Sequence, residues 1–246
     1  MKGIILAAGY ATRLYPLTLD RPKALLEIAG VPIVERIALQ MSSVGAISEI
    51  LVVTNHKFAA HFYKWHEGLV CPKAVKILDD LTTSEETRLG AIGDIQFIIE
   101  REGIDEDVMI IAGDSIFTFE LADFYDYYIS TGKDCVVAKD WEDAEQLKRF
   151  AVAKLAPDDR ILNLVEKPAQ PESNTAIFAA YAFTRETTAS FARYLAEGNK
   201  PDAPGYFVQW LYERTDVYAY RISGDIYDIG TKKAFDYVNE LMEGKA

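Results

Sequence analysis

Arg13 and Lys23 flank a stretch in which small residues follow a short apolar run. The run, Gly3-Ile4-Ile5-Leu6-Ala7-Ala8, is of the kind a fully buried parallel strand uses. It passes into Gly9-Tyr10-Ala11-Thr12, then Arg13, and Lys23 stands just past Pro22. A turn at a strand end leaves backbone N–H groups without partners, and with cations behind it such a turn can seat a polyphosphate. Arginine brings a planar fork to phosphate oxygens and lysine a mobile point charge. Ala7, Ala8, Gly9, Tyr10, Ala11, Thr12 and Arg13 are therefore the expected nucleotide-binding loop, with Arg13 and Lys23 as its catalytic cations. Gly9 by itself reads as an ordinary strand–loop connection; it is the whole string that points to a phosphate seat. The pattern is not a dinucleotide fingerprint, because Ala11 and Leu14 stand where that motif needs glycine, nor does it end in the Gly-Lys-Ser/Thr of a Walker A loop.

Two further clusters carry charge at strand ends. Val108-Met109-Ile110-Ile111-Ala112-Gly113 is a buried strand that closes on Asp114-Ser115. Asp114 either holds magnesium, which prefers carboxylate and phosphate oxygens, or caps a helix before Phe117. Glu166-Lys167-Pro168 ends another strand, with Pro168 stopping the ladder. There a carboxylate can accept hydrogen bonds from hydroxyls and an ammonium can meet a phosphate; the alternative is an exposed ion pair on an edge strand.

Taken together, Ala7 to Lys23, including Thr12-Arg13-Leu14, Pro16-Leu17-Thr18 and Pro22-Lys23, resembles the signature of the nucleotidylyltransferases that act on sugar 1-phosphates. Ala8 and Ala11 depart from glycines of that signature, and Ala11 adds a methyl group where backbone passes close to phosphates. Leu89-Gly90-Ala91-Ile92-Gly93 looks like the helix start that packs near the base in these enzymes, which implies nucleotide binding at Gly90. Asp94 sits where the family has a small residue. Gly113-Asp114 resembles the family's Gly-Asp-Asn, with Ser115 in place of Asn. Asp225-Ile226-Tyr227-Asp228-Ile229-Gly230-Thr231 resembles its Asp-Ile-Gly-Thr segment, which implies that Asp228 joins Asp114 on the metal; Asp225 is a nearby rival. Glu166-Lys167-Pro168 resembles the segment that contacts the sugar phosphate.

The resemblance implies transfer of a nucleotidyl group from an NTP to a sugar 1-phosphate, giving an NDP-sugar and pyrophosphate with Mg2+. Two polyanions must meet in such a reaction, so positioning and charge neutralisation carry the catalysis. Cations serve the leaving phosphates, carboxylates hold the metal, and Glu166 with Lys167 grips the acceptor. Two other readings stay open. One is a cytidylyltransferase acting on phosphocholine or a similar phosphorylated amine, with Tyr206, Phe207, Trp210 and Tyr212 around Gly205 either holding the cation or packing as a buried cluster. The other is a non-catalytic nucleotide- or sugar-binding regulatory subunit, against which the presence of Arg13, Lys23, Asp114 and Asp228 counts.

Composition bounds these readings. The formal net charge of -12 repels nucleic acid and anionic membranes, while a local Arg13, Arg21 and Lys23 cluster still suits a phosphate substrate. Half of the 246 residues are hydrophobic, enough for a substantial core, and no apolar run is long enough to span a bilayer. Cys71 and Cys135 stand far apart in ordinary contexts, which points to reduced thiols and a cytoplasmic setting. The start at Met1 suggests no signal peptide, and the end at Ala246 suggests a short form without the family's C-terminal extension.

Alternating strand and helix patterns must position these groups. Strands are expected at 2–7, 49–54, 75–78, 107–112 and 134–138, with helices at 33–44, 58–65, 90–102 and 119–130. Strands at 150–154 and 160–166 are joined by Pro157-Asp158-Asp159, and a strand is expected at 175–183. A helix is expected at 185–197, a strand at 217–221, and a last helix from Thr231, its N-cap, to Met242. The fold class is α/β: three layers, with a mixed, mostly parallel Rossmann-like sheet between helices and ligands beyond the carboxyl ends of the strands. The expected organisation is a single domain over 1–246, with a nucleotide-binding half at 1–140 and a sugar-phosphate-binding half at 141–246.

Overall fold

The computed structural model describes residues 1–244. The fold is a mixed, mostly parallel central sheet flanked by helices, as expected. The chain gathers into two compact units. One comprises Met1–Leu89, Ile111–Thr118 and the segment from Gly224 onward; the other comprises Gly90–Ile110 and Phe119–Ser223. Neither unit is one contiguous stretch.

In the first unit the strands Lys2–Leu6, Glu49–Thr54 and Ala74–Asp79 pair in parallel. Ile4, Ile5 and Ile50 to Val53 have no exposed surface, which is why these strands read as unbroken apolar runs rather than alternating ones. The helix Ile33–Ser43 buries Ile33, Val34, Ile37, Ala38 and Met41, the stripe its spacing predicts. Ser115–Phe117 pairs antiparallel with Ile226–Asp228 in a small two-stranded ribbon. The helix Lys232–Glu243 follows at once, and the hydroxyl of Thr231 accepts a hydrogen bond from the amide of Ala234, the expected cap.

In the second unit Thr175–Phe183 runs antiparallel to both Asp134–Asp140 and Ala151–Leu155, and Ala151–Leu155 also pairs antiparallel with Ile161–Glu166. Val217–Arg221 lies parallel to Asp134–Asp140. The helices of this unit include Ala91–Glu102, Leu121–Thr131 and Pro204–Leu211. The helix expected over 185–197 is instead two short pieces, Arg185–Thr188 and Phe191–Ala196. The buried carboxylate of Asp134 explains the first: it accepts from the hydroxyls of Thr184 and Thr187 and from the Thr184 amide, fixing the start of that piece. Ser190 then turns its hydroxyl onto the Thr187 carbonyl at 2.7 Å, one of the local bonds that compete with a continuous helix.

Candidate active site

The loop after the first strand is held from below and open above. Ala7 donates its amide to the Val53 carbonyl at 2.9 Å, so the chain leaves the sheet only beyond this residue. Asn55, with no exposed surface, donates from Nδ2 to the Ala8 carbonyl at 2.8 Å and accepts from the Phe58 amide at 3.1 Å. Tyr10 is buried, and its hydroxyl lies 3.2 Å from that of Thr82. Ala11 carries φ 50, the left-handed conformation that glycine adopts freely and alanine does not. Its carbonyl is held there by the Thr18 hydroxyl at 2.8 Å and by the Leu14 amide at 3.0 Å. Among the described residues no backbone partner takes the amides of Ala8, Gly9 or Ala11. Gly9, Thr12 and Arg13 are exposed, and Arg13 forms no ion pair among the described residues. The loop is thus a row of unsatisfied donors beside an unengaged guanidinium, which suits an anion.

Lys23 does not stand in solvent. Its side chain is 11% exposed, and its ammonium lies 2.9 Å from Asp114 Oδ2 and 3.5 Å from Asp228 Oδ1. The ribbon Ser115–Phe117 with Ile226–Asp228 brings these two aspartates together, because its register sets Asp228 opposite Ser115. The Ile229 amide donates to the Asp114 carbonyl at 3.0 Å and extends that register by one step. Gly113 allows the strand end to lie this close to its neighbour: an added Cβ would meet the Leu6 carbonyl oxygen at 2.8 Å. Asp114 therefore caps no helix; it opens a strand. Asp225 ties the far end of the ribbon through its backbone, donating its amide to the Thr118 hydroxyl at 2.8 Å.

Glu166 and Lys167 belong to the second unit. The Glu166 side chain is 6% exposed, and burial pushes its carboxyl above the ordinary glutamate range, with Lys167 partly offsetting the shift. Lys167 Nζ lies 3.6 Å from Glu166 Oε1, and the Lys167 backbone takes the left-handed conformation at φ 49. A lysine in that conformation directly before a proline is strained, and such strain concentrates at working sites.

Gly90 is buried at the start of its helix with φ 78, and an added Cβ would meet the Pro201 carbonyl oxygen at 2.6 Å. The Ala91 and Ile92 amides donate to the carbonyls of Asp202 and Pro201. Close backbone packing thus accounts for Gly90, and the first donors of the helix are already engaged. The aromatic group around Gly205 is also packed. Phe207 stacks on Phe191 with ring centres 3.8 Å apart, and the Trp210 ring carries the guanidinium of Arg214 at 4.3 Å. It is a packed cluster whose indole already holds a cation of the protein itself. Asn55, which fixes the backbone of the loop after the first strand, has no signal in the sequence, because a lone amide side chain outside a periodic element carries no pattern.

A family model described as nucleotidyl transferase matches residues 2–244. The chain belongs to the nucleotidyl transferase family. This nucleotidyl transferase is 29% identical to a putative mannose-1-phosphate guanyltransferase of Sulfolobus acidocaldarius over 98% of its own length and 63% of that relative's. It is 28% identical to the UTP–glucose-1-phosphate uridylyltransferase AglF of Haloferax volcanii, over 75% of this chain and 72% of the relative. It thus spans less than two thirds of the Sulfolobus relative. Among solved structures, a UDP-glucose pyrophosphorylase complexed with UDP-glucose has the same fold with TM-score 0.82 at 18% identity, covering 100% of this chain and 99% of that one. A putative glucose-1-phosphate thymidylyltransferase from Bacillus anthracis superposes with TM-score 0.75 at 21% identity, over 99% and 95% of the two chains.

Proposed function

We propose that this nucleotidyl transferase joins a nucleoside triphosphate to a sugar 1-phosphate, forming an NDP-sugar and releasing pyrophosphate. The observation that carries the reading is the meeting of Asp114 and Asp228 on the ammonium of Lys23, in the unit that also holds the open loop Ala7 to Arg13. A sugar 1-phosphate stands in the names of the Sulfolobus and Haloferax relatives and of a glucose-1-phosphate adenylyltransferase from Fervidobacterium nodosum, while the base differs among these three.

Each group has a role that its position supports. The loop amides and Arg13 bind the triphosphate and orient it for displacement at the α-phosphorus. Asp114 and Asp228 suit magnesium, since two carboxylates completed by phosphate oxygens match its preference for hard oxygen donors. The ion, when bound, neutralises charge on the phosphates that approach one another. Lys23 balances the two carboxylates, and its ammonium supplies positive charge for the phosphates of the bound nucleotide. Glu166 and Lys167 bind the acceptor through its hydroxyls and its phosphate.

The packed cluster at Phe207 and Trp210 gives the phosphorylated-amine reading no open aromatic cage. The regulatory reading lacks a reason for both aspartates to be present and convergent. The test is pyrophosphate release measured for each common NTP against a set of phosphorylated acceptors, with Asp114→Asn and Asp228→Asn beside the parent. Turnover with a sugar 1-phosphate that drops roughly 10²–10³-fold or more in both variants is the expected result. Turnover with phosphocholine alone, or unchanged rates in both variants, overturns the proposal.

A further inference from the structure

Glu166 is a carboxylate that folding alone would not place where it lies. Its side chain is 6% exposed, and its only ion pair among the described residues is the 3.6 Å contact with Lys167. Burying such a group with incomplete compensation costs stability, and pays only where the group has work to do.

The helix Pro204–Leu211 packs against the end of the strand Ile161–Glu166 and meets Glu166 at two points. A Cβ added at Gly205 would overlap Glu166 Oε2, and would lie 2.8 Å from Glu166 Cδ and 3.1 Å from the Ala151 side chain. Gly205 is thus a notch, and the carboxyl fills the space that any side chain at this position would take. One turn further along the same helix face, Gln209 Oε1 accepts a hydrogen bond from the Glu166 amide at 3.0 Å. The helix therefore holds the backbone of Glu166 through Gln209 and leaves the room its head group occupies at Gly205. On the other side the Lys167 amide donates to the Phe150 carbonyl at 3.0 Å, which fixes the left-handed turn between the two charged residues.

We propose that Gly205 and Gln209 are positioning residues for the acceptor: they hold the Glu166 carboxyl in the one placement from which it can grip a sugar 1-phosphate. The inference rests on the reading of Glu166 as an acceptor contact. It assigns a role in substrate selection to the helix Pro204–Leu211, through the placement of Glu166. It also explains why position 205 is glycine inside a helix, where alanine is otherwise the better residue.

Steady-state kinetics of Gly205→Ala, Gln209→Ala, Glu166→Ala and the double variant Glu166→Ala/Gly205→Ala, with sugar 1-phosphate and NTP varied in turn, test this. Gly205→Ala should raise the acceptor KM about 10–100-fold, as expected for a displaced binding group, and leave the NTP KM near the parent value. Gln209→Ala should move the acceptor KM in the same direction by less. In the Glu166→Ala background the added methyl group should change nothing further. If Glu166→Ala raises the acceptor KM and Gly205→Ala does not, the positioning role falls while the reading of Glu166 stands. An acceptor KM unchanged by Glu166→Ala removes that reading, and the substrate role of the notch with it. The notch itself has an independent readout in the Glu166 carboxyl resonance: its titration should move toward the ordinary glutamate range in Gly205→Ala, and an unmoved titration overturns the placement. If Gly205→Ala fails to fold, the double variant should recover the fold, since it removes the clash; failure of both overturns the proposal.

Discussion

The ammonium of Lys23 lies 2.9 Å from the Asp114 carboxylate and pairs with it from within the same compact unit. Asp228 completes the arrangement at 3.5 Å, so one cation balances two acids. Replacing Lys23 with methionine takes this shared cation away from both carboxylates. In metal-free buffer the variant should lose about 1–3 kcal/mol, below the cost of breaking a fully buried pair because both aspartates keep some solvent. Added Mg2+ should restore more of its melting temperature than it adds to the parent. Equal responses of parent and variant in thermal melts would show that the ammonium is not the balancing charge.

Asn55 anchors the loop after the first strand from a site with no exposed surface. Asn55→Ala strands the Ala8 carbonyl without its donor and should cost about 2–3 kcal/mol in urea denaturation. The NTP KM should rise while the acceptor KM stays, because the loosened segment is the nucleotide side. A change in both constants together would mean general unfolding rather than loss of the anchor.

Ala11 and Lys167 both hold left-handed backbone that a side chain resists. Ala11→Gly should therefore gain about 0.5–1 kcal/mol, the relief of strain being partly offset by a freer unfolded chain. Lys167→Gly should gain similarly while weakening the acceptor, whereas Lys167→Ala should weaken the acceptor with no gain. Denaturant midpoints and acceptor KM values for the four proteins separate backbone strain from charge.

Burial raises the carboxyl of Glu166 above its ordinary range, with Lys167 acting against the shift. A group whose folded value lies above its unfolded value favours the fold when protonated. That contribution is complete below the ordinary glutamate range and is lost as pH rises through the raised folded value. Glu166→Gln should thus melt higher than the parent at neutral pH, with the gap closing in acid. A gap of constant size across that range would show that burial does not perturb this carboxyl.

The first strand, its loop and the helix Ile33–Ser43 were legible because each follows a local rule: an apolar run, a small-residue turn, a stripe at helical spacing. The last helix was legible from Thr231. The ribbon of Ser115–Phe117 with Ile226–Asp228 was not, since strands of three residues have no period and their pairing joins distant parts of the chain. Asp228 was therefore reachable only through resemblance, although its register opposite Ser115 is what brings it to Lys23. The start of the short piece Arg185–Thr188 is fixed by Asp134, a partner far away in sequence, and the break before Phe191–Ala196 goes with the local Ser190 hydroxyl bond. Gly205 stayed unread because a notch is defined by what fills it, and Glu166 lies on another element.

A built-in counterion at Asp114 and Asp228 has a practical corollary. On the proposed metal role of these two carboxylates, chelators should silence the protein without denaturing it, so stripped preparations should survive storage and regain full rate on reconstitution. Affinity for the divalent ion and affinity for triphosphate should then rise together, since the lysine released by one arrival becomes available to greet the other.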